Sequence, residues 1–582
     1  MAWILAGVAP LLHAVHTIPV PTDPASGVVI EIDSWLEYCP PSGMMPLEIK
    51  VTNGSSRTHD WTLTARDGYG TGAACSVHLV VEPGRTVSAP LYATVMSSNS
   101  AYSAYRSLNL SVQGHGVSTW MTSLSAPPHT GGGGSGKVME FMAMSKGLGA
   151  KGWIPMSERF EKAKSGPKPF EASQVEMAKA PDDWRGYSGL AQLWMTDSEW
   201  LGLGAGARAA IMDWMTLGGR TVIFCTDATG TRLTELKLPE PDAKGERRHG
   251  AGELRIQVWD GKSFPLDAAV SMAEDSSLKG NALSLAGYNH WSLSDVVGRL
   301  QLHSGLIFGF ILAFGILVGP VNLFWMAGPR RRHRLFWTTP LLSLAASALL
   351  VALMFLQDGL GGKGARRVLA VLQPEQKKAA IIQEQVSRTG VLLGRTFAKT
   401  EPSWMQSLAL DSSGSGFNPG SNYQRQLNED EHGRSGDWFA SRAVQAQFLA
   451  TVRPTRGVID VFAPANANDA PSVVSSIAAP LLRVFVVDEK NNIWQTDNLG
   501  TGEKKMMRAC DQKEFTDWMD QRVMHDAGPM MKQTLEKVRG RSGFVFAESS
   551  DASKFAISTL DSIRWNDERV IFAGPYLKHN SP

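Results

Sequence analysis

The sequence predicts a multidomain membrane protein with an N-terminal β-sandwich, an α/β domain with a parallel sheet, a two-helix transmembrane hairpin and a C-terminal β-rich domain. Three observations predict this fold class. Two long uncharged apolar runs flank a basic loop near the middle of the chain, short β-type runs lie on either side of them, and strand and helix signals alternate between residues 137 and 300. At 582 residues the chain is too long for one hydrophobic core, so several domains are expected.

Composition bears on partners and cofactors. The 57 basic and 55 acidic side chains give a formal net charge of +2, which offers no electrostatic case for nucleic acid as a partner. The four cysteines form no CxxC pair and the 13 histidines form no HExxH pattern, so we expect no metal and no cofactor. Cys39 and Cys75 fall in one predicted domain and are candidates for a disulfide if that domain lies outside the cytoplasm. Two unrelated thiols are an equal alternative.

The N-terminal region is predicted to be exported and rich in strands. Residues 1–20 open with a short apolar run, as a signal segment does, although they lack its usual basic start. Residues 27–125 contain β-type runs bounded by Gly, Pro, Asn or Ser, at the spacing of an antiparallel sandwich. Residues 126–136 form a Gly/Pro-rich linker to the next domain.

Residues 137–300 are predicted to form the α/β domain. Strand signals occur at Lys137–Ser145, Leu190–Thr196 and Arg220–Cys225. An amphipathic helix between the last two strands stops at Gly218–Gly219, a suitable C-terminal end. Because a helix joins consecutive strands, we expect these strands to be parallel with helices on the faces of the sheet.

The central apolar runs are predicted to cross a bilayer. Residues 306–326 and 335–356 are each uncharged and reach the 20 or so residues that a spanning helix needs. Residues 327–334 join them and carry a basic cluster, which consists of Arg330, Arg331, Arg332 and Arg334. Lys and Arg near helix ends resist translocation, so this loop is predicted to be cytoplasmic. Both large domains are then extracytoplasmic, on a bacterial cytoplasmic (inner) membrane whose lipid bilayer is the first partner.

Residues 365–582 are predicted to form the C-terminal β-rich domain. The polar, Gly/Ser-rich residues 411–436 are predicted to be a mobile loop. A hairpin is expected with its turn at Lys490–Asn492. One helix is expected to place four apolar side chains on a single face: Phe515, Trp518, Met519 and Val523.

The order of these parts resembles a group of bacterial two-helix membrane proteins whose extracytoplasmic domain is similar to class I glutamine amidotransferases. The motifs that carry the resemblance are DWMTLGGRTVIF in the α/β region and GPVN…PRRRHRLFWTTPLL in the hairpin. Members of this group are generally taken to be non-catalytic, and their biochemical role is largely unknown. The resemblance therefore implies an architecture more than an activity.

Cys225 is the candidate nucleophile. It ends a predicted parallel strand, at the edge where α/β sheets bind ligands, and an amidotransferase-like enzyme would place its cysteine at such an elbow. The local sequence IFCTDATG lacks the G-x-C-x-G pattern, and the downstream YNHWS offers only His290, so a small buried apolar residue is the favoured interpretation. Asp197 and Asp227 are ligand candidates at the same edge, although helix caps or turn residues are the favoured interpretation.

Two glycine-rich motifs and one acidic run are interpreted as ordinary loops. GGGGSGKV at residues 131–138 has Val where a phosphate loop needs Ser or Thr, and it precedes a strand. GLGAGA at residues 202–207 opens a helix but lies six residues beyond the preceding strand, too far for a dinucleotide-binding turn. The run Asn428–His432 is interpreted as a solvated surface loop.

The leading functional prediction is a membrane-anchored, non-enzymatic binding or scaffold protein of the cell envelope, with an envelope protein or glycan as partner. The hairpin could pair with other membrane subunits through Asn322 or through three glycines, although ordinary membrane-helix composition is the favoured explanation of the glycines. These glycines are Gly305, Gly309 and Gly315. Two alternatives stay open: an accessory subunit of a membrane transporter, and a thiol hydrolase or amidotransferase-like enzyme that uses Cys225.

Overall fold

The computed structural model of the chain describes residues 16–67, 73–95, 107–125, 140–149, 170–227, 234–239, 241, 247–262, 264–274, 292–298, 304–326, 332–408, 410, 426–463 and 470–579. Several predictions lie outside the described residues. They concern the first fifteen residues of the signal segment, the linker at 126–136 with the adjoining glycine-rich motif, His290, Arg330 and Arg331.

The N-terminal region forms eight strands with alternating buried and exposed residues. They are β1 His16–Val20, β2 Val28–Ser34, β3 Gly43–Asn53, β4 His59–Asp67, β5 Ala73–Val81, β6 Thr86–Val95, β7 Ser107–Gly114 and β8 Trp120–Ser125. One antiparallel sheet has the order β1-β2-β3-β6, and β5-β4-β7-β8 belong to a second. Ile49 and Val51 of β3 share a core with Trp61 and Leu63 of β4. Because β1 pairs with β2, the last five residues of the predicted signal segment are part of a sheet.

A second region forms a mainly parallel sheet. Its elements are β9 Glu140–Ser145, β10 Phe170–Val175, β11 Gln192–Thr196, α1 Asp197–Gly202, α2 Ala205–Thr216, β12 Arg220–Cys225, β13 Arg247–His249, β14 Gly252–Val258, α3 Leu266–Glu274 and α4 Ser292–Val297. The strand order is β10-β9-β11-β12-β14-β13, and only β13 runs antiparallel to its neighbour. The predicted face of α2 is buried, since Ala207, Ile211, Trp214 and Met215 pack in the core. The predicted strand–helix–strand pattern is confirmed here.

Two apolar helices follow, α5 at Ser304–Ile316 and α6 at Leu335–Asp358. The first continues as a π-helix over Leu317–Met326, where Pro320 cannot donate a backbone hydrogen bond. A π-type turn is one of the local adjustments by which membrane helices accommodate proline. The spans Phe308–Met326 and Arg332–Leu356 have mean hydropathies of 1.9 and 2.2, and almost none of their surface is buried. They are long and apolar enough to cross a membrane.

The region after α6 contributes the remaining strands and two helices. They are β15 Gly362–Gln373, β16 Lys378–Thr389, β17 Phe397–Ala398, β18 Ser403–Leu408, β19 Leu427–Glu429, β20 Gly433–Gly436, β21 Val444–Pro454, β22 Ile459–Phe462, β23 Ser472–Ser475, β24 Leu481–Val487, β25 Ile493–Leu499, β26 Lys504–Met506, β27 Arg508–Cys510, α7 Gln512–Trp518, α8 Pro529–Val538, β28 Phe544–Ser549, β29 Ile563–Pro575 and β30 Leu577–His579. A nine-stranded sheet has the order β18-β21-β16-β15-β29-β28-β24-β25-β27, and a four-stranded sheet has the order β26-β23-β22-β30.

Local predictions for this region are confirmed in two places. β24 and β25 form the predicted hairpin, and Asn491 in its turn has a positive φ of 63°. Helix α7 and the π-turn after it bury the predicted apolar face, which consists of Phe515, Trp518, Met519 and Val523.

The prediction of a mobile loop at residues 411–436 is wrong for residues 427–436, and residues 411–425 lie outside the described residues. Leu427–Glu429 forms β19, which pairs in parallel with Ala73–Cys75 of β5, and Gly433–Gly436 forms β20 beside it. With β17 these strands complete a seven-stranded sheet in the order β17-β20-β19-β5-β4-β7-β8. The run is polar because its charges pair inside the fold, whereas the prediction took its polarity as a sign of solvation. Strands from after the hairpin thus complete a sheet of the N-terminal region.

Further contacts join the parts of the chain that precede and follow the hairpin. The Lys378 ammonium binds both carboxylate oxygens of Asp213 at 2.7 Å. Lys537 donates to the carbonyl of Gly218 at 3.1 Å, and Arg541 donates to the carbonyl of Gly250. Together with the β5–β19 pair, these contacts make one packed body. The chain that enters α5 and the chain that leaves α6 must then lie on the same side of any membrane that these two helices cross.

Candidate functional site

Cys225 ends β12 in the middle of the parallel sheet, as predicted. Its side chain is completely buried, and its carbonyl accepts a hydrogen bond from Trp259 N at 2.7 Å. A nucleophilic cysteine needs partial exposure and an electropositive or basic neighbour to form a thiolate. The burial of Cys225 therefore matches the interpretation of this residue as a small apolar core residue.

The two aspartates at this sheet edge differ in their surroundings. Asp197 is buried at the first position of α1, where its Oδ1 accepts from Ser198 N at 2.8 Å. The adjacent Thr196 and Glu199 form a reciprocal capping box at the start of the same helix. Asp227 is exposed two residues after β12. The position of Asp197 agrees with its interpretation as a helix-terminus residue, and a ligand role for either aspartate stays a prediction.

The two cysteines proposed as a disulfide are both buried thiols in this structure. Cys39 Sγ donates to the carbonyl of Pro40 at 3.8 Å, and Cys75 Sγ accepts from Thr94 N at 3.3 Å. Burial, with a smaller contribution from the nearby Glu429 carboxylate, raises the pKa of the Cys75 thiol to about 12. Cys75 is therefore a protonated thiol at neutral pH, and its pairing with Cys39 stays a prediction.

The acidic run Asn428–His432 contains a buried ion pair rather than a set of solvated charges. Glu429 and Arg434 are 4% and 2% exposed, and both guanidinium Nε and Nη2 reach the carboxylate at 3.2 Å. Arg434 also donates to the carbonyl of Ser403 at 2.8 Å. The Lys399 ammonium provides a second cation 3.1 Å from Glu429. The prediction of a wholly solvated run is therefore wrong at Glu429.

A cleft of about 320 Å³ lies where three parts of the body meet beside this ion pair. Strands β5 and β6 supply one wall, Arg185 comes from the region of the parallel sheet, and the chain after the hairpin supplies the opposite wall. The charged side chains that line the cleft are Arg185, Lys399, Glu401, Glu429, Asp430 and Glu431. Two of these carboxylates also have an arginine partner outside the lining, Arg434 for Glu429 at 3.2 Å and Arg453 for Glu401 at 3.8 Å, so the cleft presents charges of both signs.

The polar groups of the cleft are held in place by contacts inside the body. Arg185 stacks 4.6 Å above the ring of Tyr92 and binds Asp183 through Nε and Nη2, at 3.0 and 2.8 Å. Burial raises the pKa of Tyr92 well above its usual value, and Asp183 raises it further. Tyr92 therefore stays neutral. Lys399 also donates to the carbonyl of Asp430 at 2.9 Å, which fixes its ammonium between two acceptors.

The described side chains of the cleft can contact a polar ligand through charged and hydrogen-bonding groups. The Cys75 thiol in the cleft wall is protonated at neutral pH, and Arg185 and Lys399 bind carboxylates or carbonyls of the same body. In a concave site, a small number of fixed polar and charged groups sets the orientation of a ligand. Among the described residues, no group of three or more His, Cys, Asp or Glu side chains is arranged to hold a metal ion.

The hairpin contains a polar contact between its two helices. Asn322 in the π-helix is fully buried, its amide donates to Thr339 Oγ1 at 3.0 Å, and its carbonyl accepts from Thr338 Oγ1 at 2.7 Å. Asn322 was predicted as a contact for another membrane subunit. The structure instead uses it within the hairpin, because the two threonines of α6 satisfy both ends of its amide.

No protein-family model and no curated protein sequence matches this chain. Several solved structures, among them two enzymes, are weakly similar to parts of this chain. A cycloisomaltooligosaccharide glucanotransferase from Paenibacillus sp. has 7% identity and a TM-score of 0.16, over 33% of this chain and 27% of that enzyme. A beta-glucuronidase from Bacteroides uniformis has 11% identity and a TM-score of 0.13, over 42% of this chain and 30% of that enzyme. Similarities of this size carry no argument about the fold or function of this chain.

Sequence reasoning missed the residues that build the cleft. Arg185, Lys399 and Arg434 come from separate regions, and no local motif joins them. A partial signal did exist in EDEHG, where an acidic residue and a glycine frame a tight turn. Asp430 Oδ1 accepts from the backbone of His432 and Gly433 at 2.8 and 2.7 Å, as turn-forming aspartates do. That turn could have indicated a hairpin in place of a loop.

Proposed function

We propose that this chain is a membrane-anchored, non-enzymatic binding or scaffold protein of the bacterial cell envelope. In this proposal an N-terminal β-sandwich, an amidotransferase-like α/β domain and a C-terminal β-rich domain form the extracytoplasmic body. The hairpin anchors that body in the inner membrane. The basic residues around 330–334 stay in the cytoplasm, because Lys and Arg near helix ends resist translocation.

One observation carries the proposal. The chain on either side of the two apolar helices packs into one body, through the β5–β19 pair and the Asp213–Lys378 ion pair. Such a body requires an even number of membrane crossings, and two helices of sufficient length are present. In this proposal the hairpin therefore anchors a body that lies on one side of the membrane, and it does not separate two domains on opposite sides.

The binding role is supported by the cleft. It is lined by charges that hydrogen bonds and ion pairs hold in place, and it lies where three parts of the body meet. Complete burial of Cys225 counts against the thiol enzyme that the sequence left open. An accessory role beside a transporter stays an alternative, and co-purification of an ATPase or a multi-span subunit would favour it.

A photo-crosslinking experiment tests the binding role. A photoreactive amino acid replaces Glu431, an exposed residue of the cleft, in full-length protein expressed in its membrane, and a matched substitution replaces Lys490 in an exposed turn elsewhere. The proposal predicts a discrete adduct of defined mass at Glu431 and none at Lys490. Absence of an adduct at Glu431 and at further exposed positions around the cleft, such as Thr400, would contradict it.

A further inference from the structure

Two exposed leucines lie at the base of the hairpin. Leu393 is 84% exposed and Leu360 is 64% exposed. Single exposed leucines are normal on soluble surfaces, so exposure alone says little. Their position is informative, because Leu360 follows the last residue of the second apolar span, Leu356, by four residues.

Backbone hydrogen bonds fix the loop of Leu393 to the chain that leaves α6. Val391 N donates to Gly359 O at 3.0 Å, Gly361 N donates to Val391 O at 3.1 Å, and Gly390 N donates to Gly361 O at 2.7 Å. Leu360 and Val391 form a parallel bridge in this ladder. Gly359 is in turn bonded to Phe355 O at 3.0 Å, in the last turn of the helix. The loop is therefore held directly beside the point where α6 ends.

Chain length sets how far these leucines can lie from the hydrocarbon core. A residue spans at most about 3.5 Å, so Leu360 lies within about 14 Å of Leu356, and Leu393 within about 7 Å of Val391. The headgroup zone on each side of the core is roughly 5–8 Å thick. Amphipathic surfaces bury their apolar side chains in about that depth. Both leucines therefore lie on chain segments that adjoin the end of α6.

The other end of the hairpin meets the same surface. Helix α4, which precedes α5, packs on β15 and β16. The Arg388 guanidinium lies beside Gly298, where an added Cβ would be 3.8 Å from Nη1. Gly298 precedes the first residue of α5, Ser304, by six residues. Arg388 therefore lies beside the end of α4, six residues before α5 begins, and the loop after it is bonded to the chain that leaves α6.

The charges around the leucines are those of an interfacial surface. Lys363 and Arg388 are exposed, and Arg395 pairs with Asp437. Asp561 is an exposed acidic residue in the adjacent segment, whose Ser562 carbonyl accepts a hydrogen bond from Gly362 N. Lys and Arg beside apolar side chains place their cationic ends at the level of lipid phosphates.

We propose that this surface, formed by Leu360 and Leu393 with Lys363 and Arg388, docks on the bilayer that the hairpin crosses. The leucines insert at the boundary between headgroups and acyl chains, and the two cations contact lipid phosphates. The body then presents a fixed face to the membrane. This inference rests on the proposed membrane anchoring and adds a lipid surface as the partner of a defined patch.

Fluorescence in vesicles tests the docking. Full-length protein carrying C510S, which removes the half-exposed native thiol, receives a single L393C substitution and an environment-sensitive fluorophore. It is reconstituted in vesicles of phosphatidylcholine and phosphatidylglycerol. M121C, 67% exposed on β8, is the matched surface control, and L349C, 54% exposed within α6, reports the membrane span. We expect a blue-shifted emission at 393, quenched by lipids with a nitroxide near the headgroup, and no such quenching at 121.

The outcomes separate the two proposals. One outcome would overturn the docking and leave the anchoring intact. In it, nitroxide lipids quench the fluorophore at residue 349 but not the one at residue 393, and aqueous iodide quenches the fluorophore at 393 as strongly as the one at 121. Loss of lipid quenching at 349 would overturn the anchoring itself. A fluorophore at L360C gives a second measurement of docking, and we expect the same blue shift and the same lipid quenching there as at residue 393.

Discussion

Replacing Arg434 with methionine will loosen the strands that β19 and β20 add to the N-terminal sheet. The substitution leaves the Glu429 carboxylate 4% exposed, with Lys399 as its remaining cation. Removing one partner of a buried pair costs roughly 3–5 kcal/mol, and the lower figure applies here because Lys399 stays 3.1 Å away. A loss of about 3 kcal/mol raises the population of the detached state about 150-fold, since 1.4 kcal/mol is a factor of ten.

Cys75 reports this detachment directly. Its backbone pairs with that of Glu429 across the β5–β19 boundary, and its thiol is buried in the closed state. When labelling proceeds through local opening, its rate follows the open population. In reduced protein carrying C510S, R434M should therefore raise the rate of Cys75 alkylation about 150-fold, as measured by mass spectrometry of the peptide that contains it.

Two controls decide the interpretation. R539M removes an exposed ion pair with Asp520 and should leave Cys75 labelling unchanged, because such pairs contribute less than about 1 kcal/mol. The double variant E429Q/R434M also replaces the Glu429 carboxylate, which has lost its arginine partner, with a neutral amide. It should bring the rate of Cys75 alkylation back to within about tenfold of the wild type. A wild-type rate in R434M would refute the claim that the pair holds β19 on the sheet.

Three further predictions concern a carboxyl group, the hairpin and Cys225. Burial raises the pKa of Glu384 to about 7 in the folded protein, above its ordinary 4.5, although backbone N–H groups at the start of α8 partly oppose this. The contribution of Glu384 to the free energy of unfolding is therefore fully present below about pH 4.5, and it declines by about 3 kcal/mol as the pH rises to 7. The melting temperature of the wild type should fall over that range, and E384Q should make this fall smaller. N322L removes the hydrogen bonds to Thr338 and Thr339 and should speed amide exchange over Leu317–Met326 in detergent by about three- to fifteenfold. Cys225 in the folded protein should react with a thiol reagent more slowly than half-exposed Cys510, because its sulfur is completely buried.

Each of these predictions has a contradicting outcome. Parallel melting profiles of wild type and E384Q between pH 4.5 and 7 would show that Glu384 ionises as easily in the folded as in the unfolded chain. Unchanged exchange in N322L would mean that the amide does not hold the two helices together. Rapid labelling of Cys225 by a small alkylating reagent at neutral pH would restore the thiol-enzyme hypothesis.

Elements that depend on local periodicity were predictable. The buried face of α2 and that of α7 follow from apolar residues three and four positions apart, and both are observed. The turn at Lys490–Asn492 was predicted from its polar, Asn-rich residues, and Asn491 adopts the positive φ that such a turn uses. In each case the residues that determine the element lie within one short window of sequence.

Features that depend on distant partners were not predictable. Leu427–Glu429 becomes a strand because β5, some 350 residues earlier in the chain, offers it an edge. Its polar neighbours look solvated until Arg434 and Ser403 are placed beside them. The burial of Cys225 likewise depends on how the parallel sheet is covered, and no pattern near IFCTDATG encodes that. Asn322 resembled a contact for another subunit because its threonine partners lie on the other helix of the hairpin.

The most direct test of the account is the side of the membrane on which each part of the full-length chain lies. In protein carrying C510S, single cysteines replace Met121 before the hairpin, Met506 after it and Arg332 in its basic loop, and an impermeant thiol reagent is added to intact spheroplasts. The account predicts labelling at 121 and 506, with 332 labelled only after permeabilisation. Labelling of 121 and 506 on opposite sides would contradict the single packed body. Labelling of 332 alone from outside would place that body in the cytoplasm and contradict the proposed function.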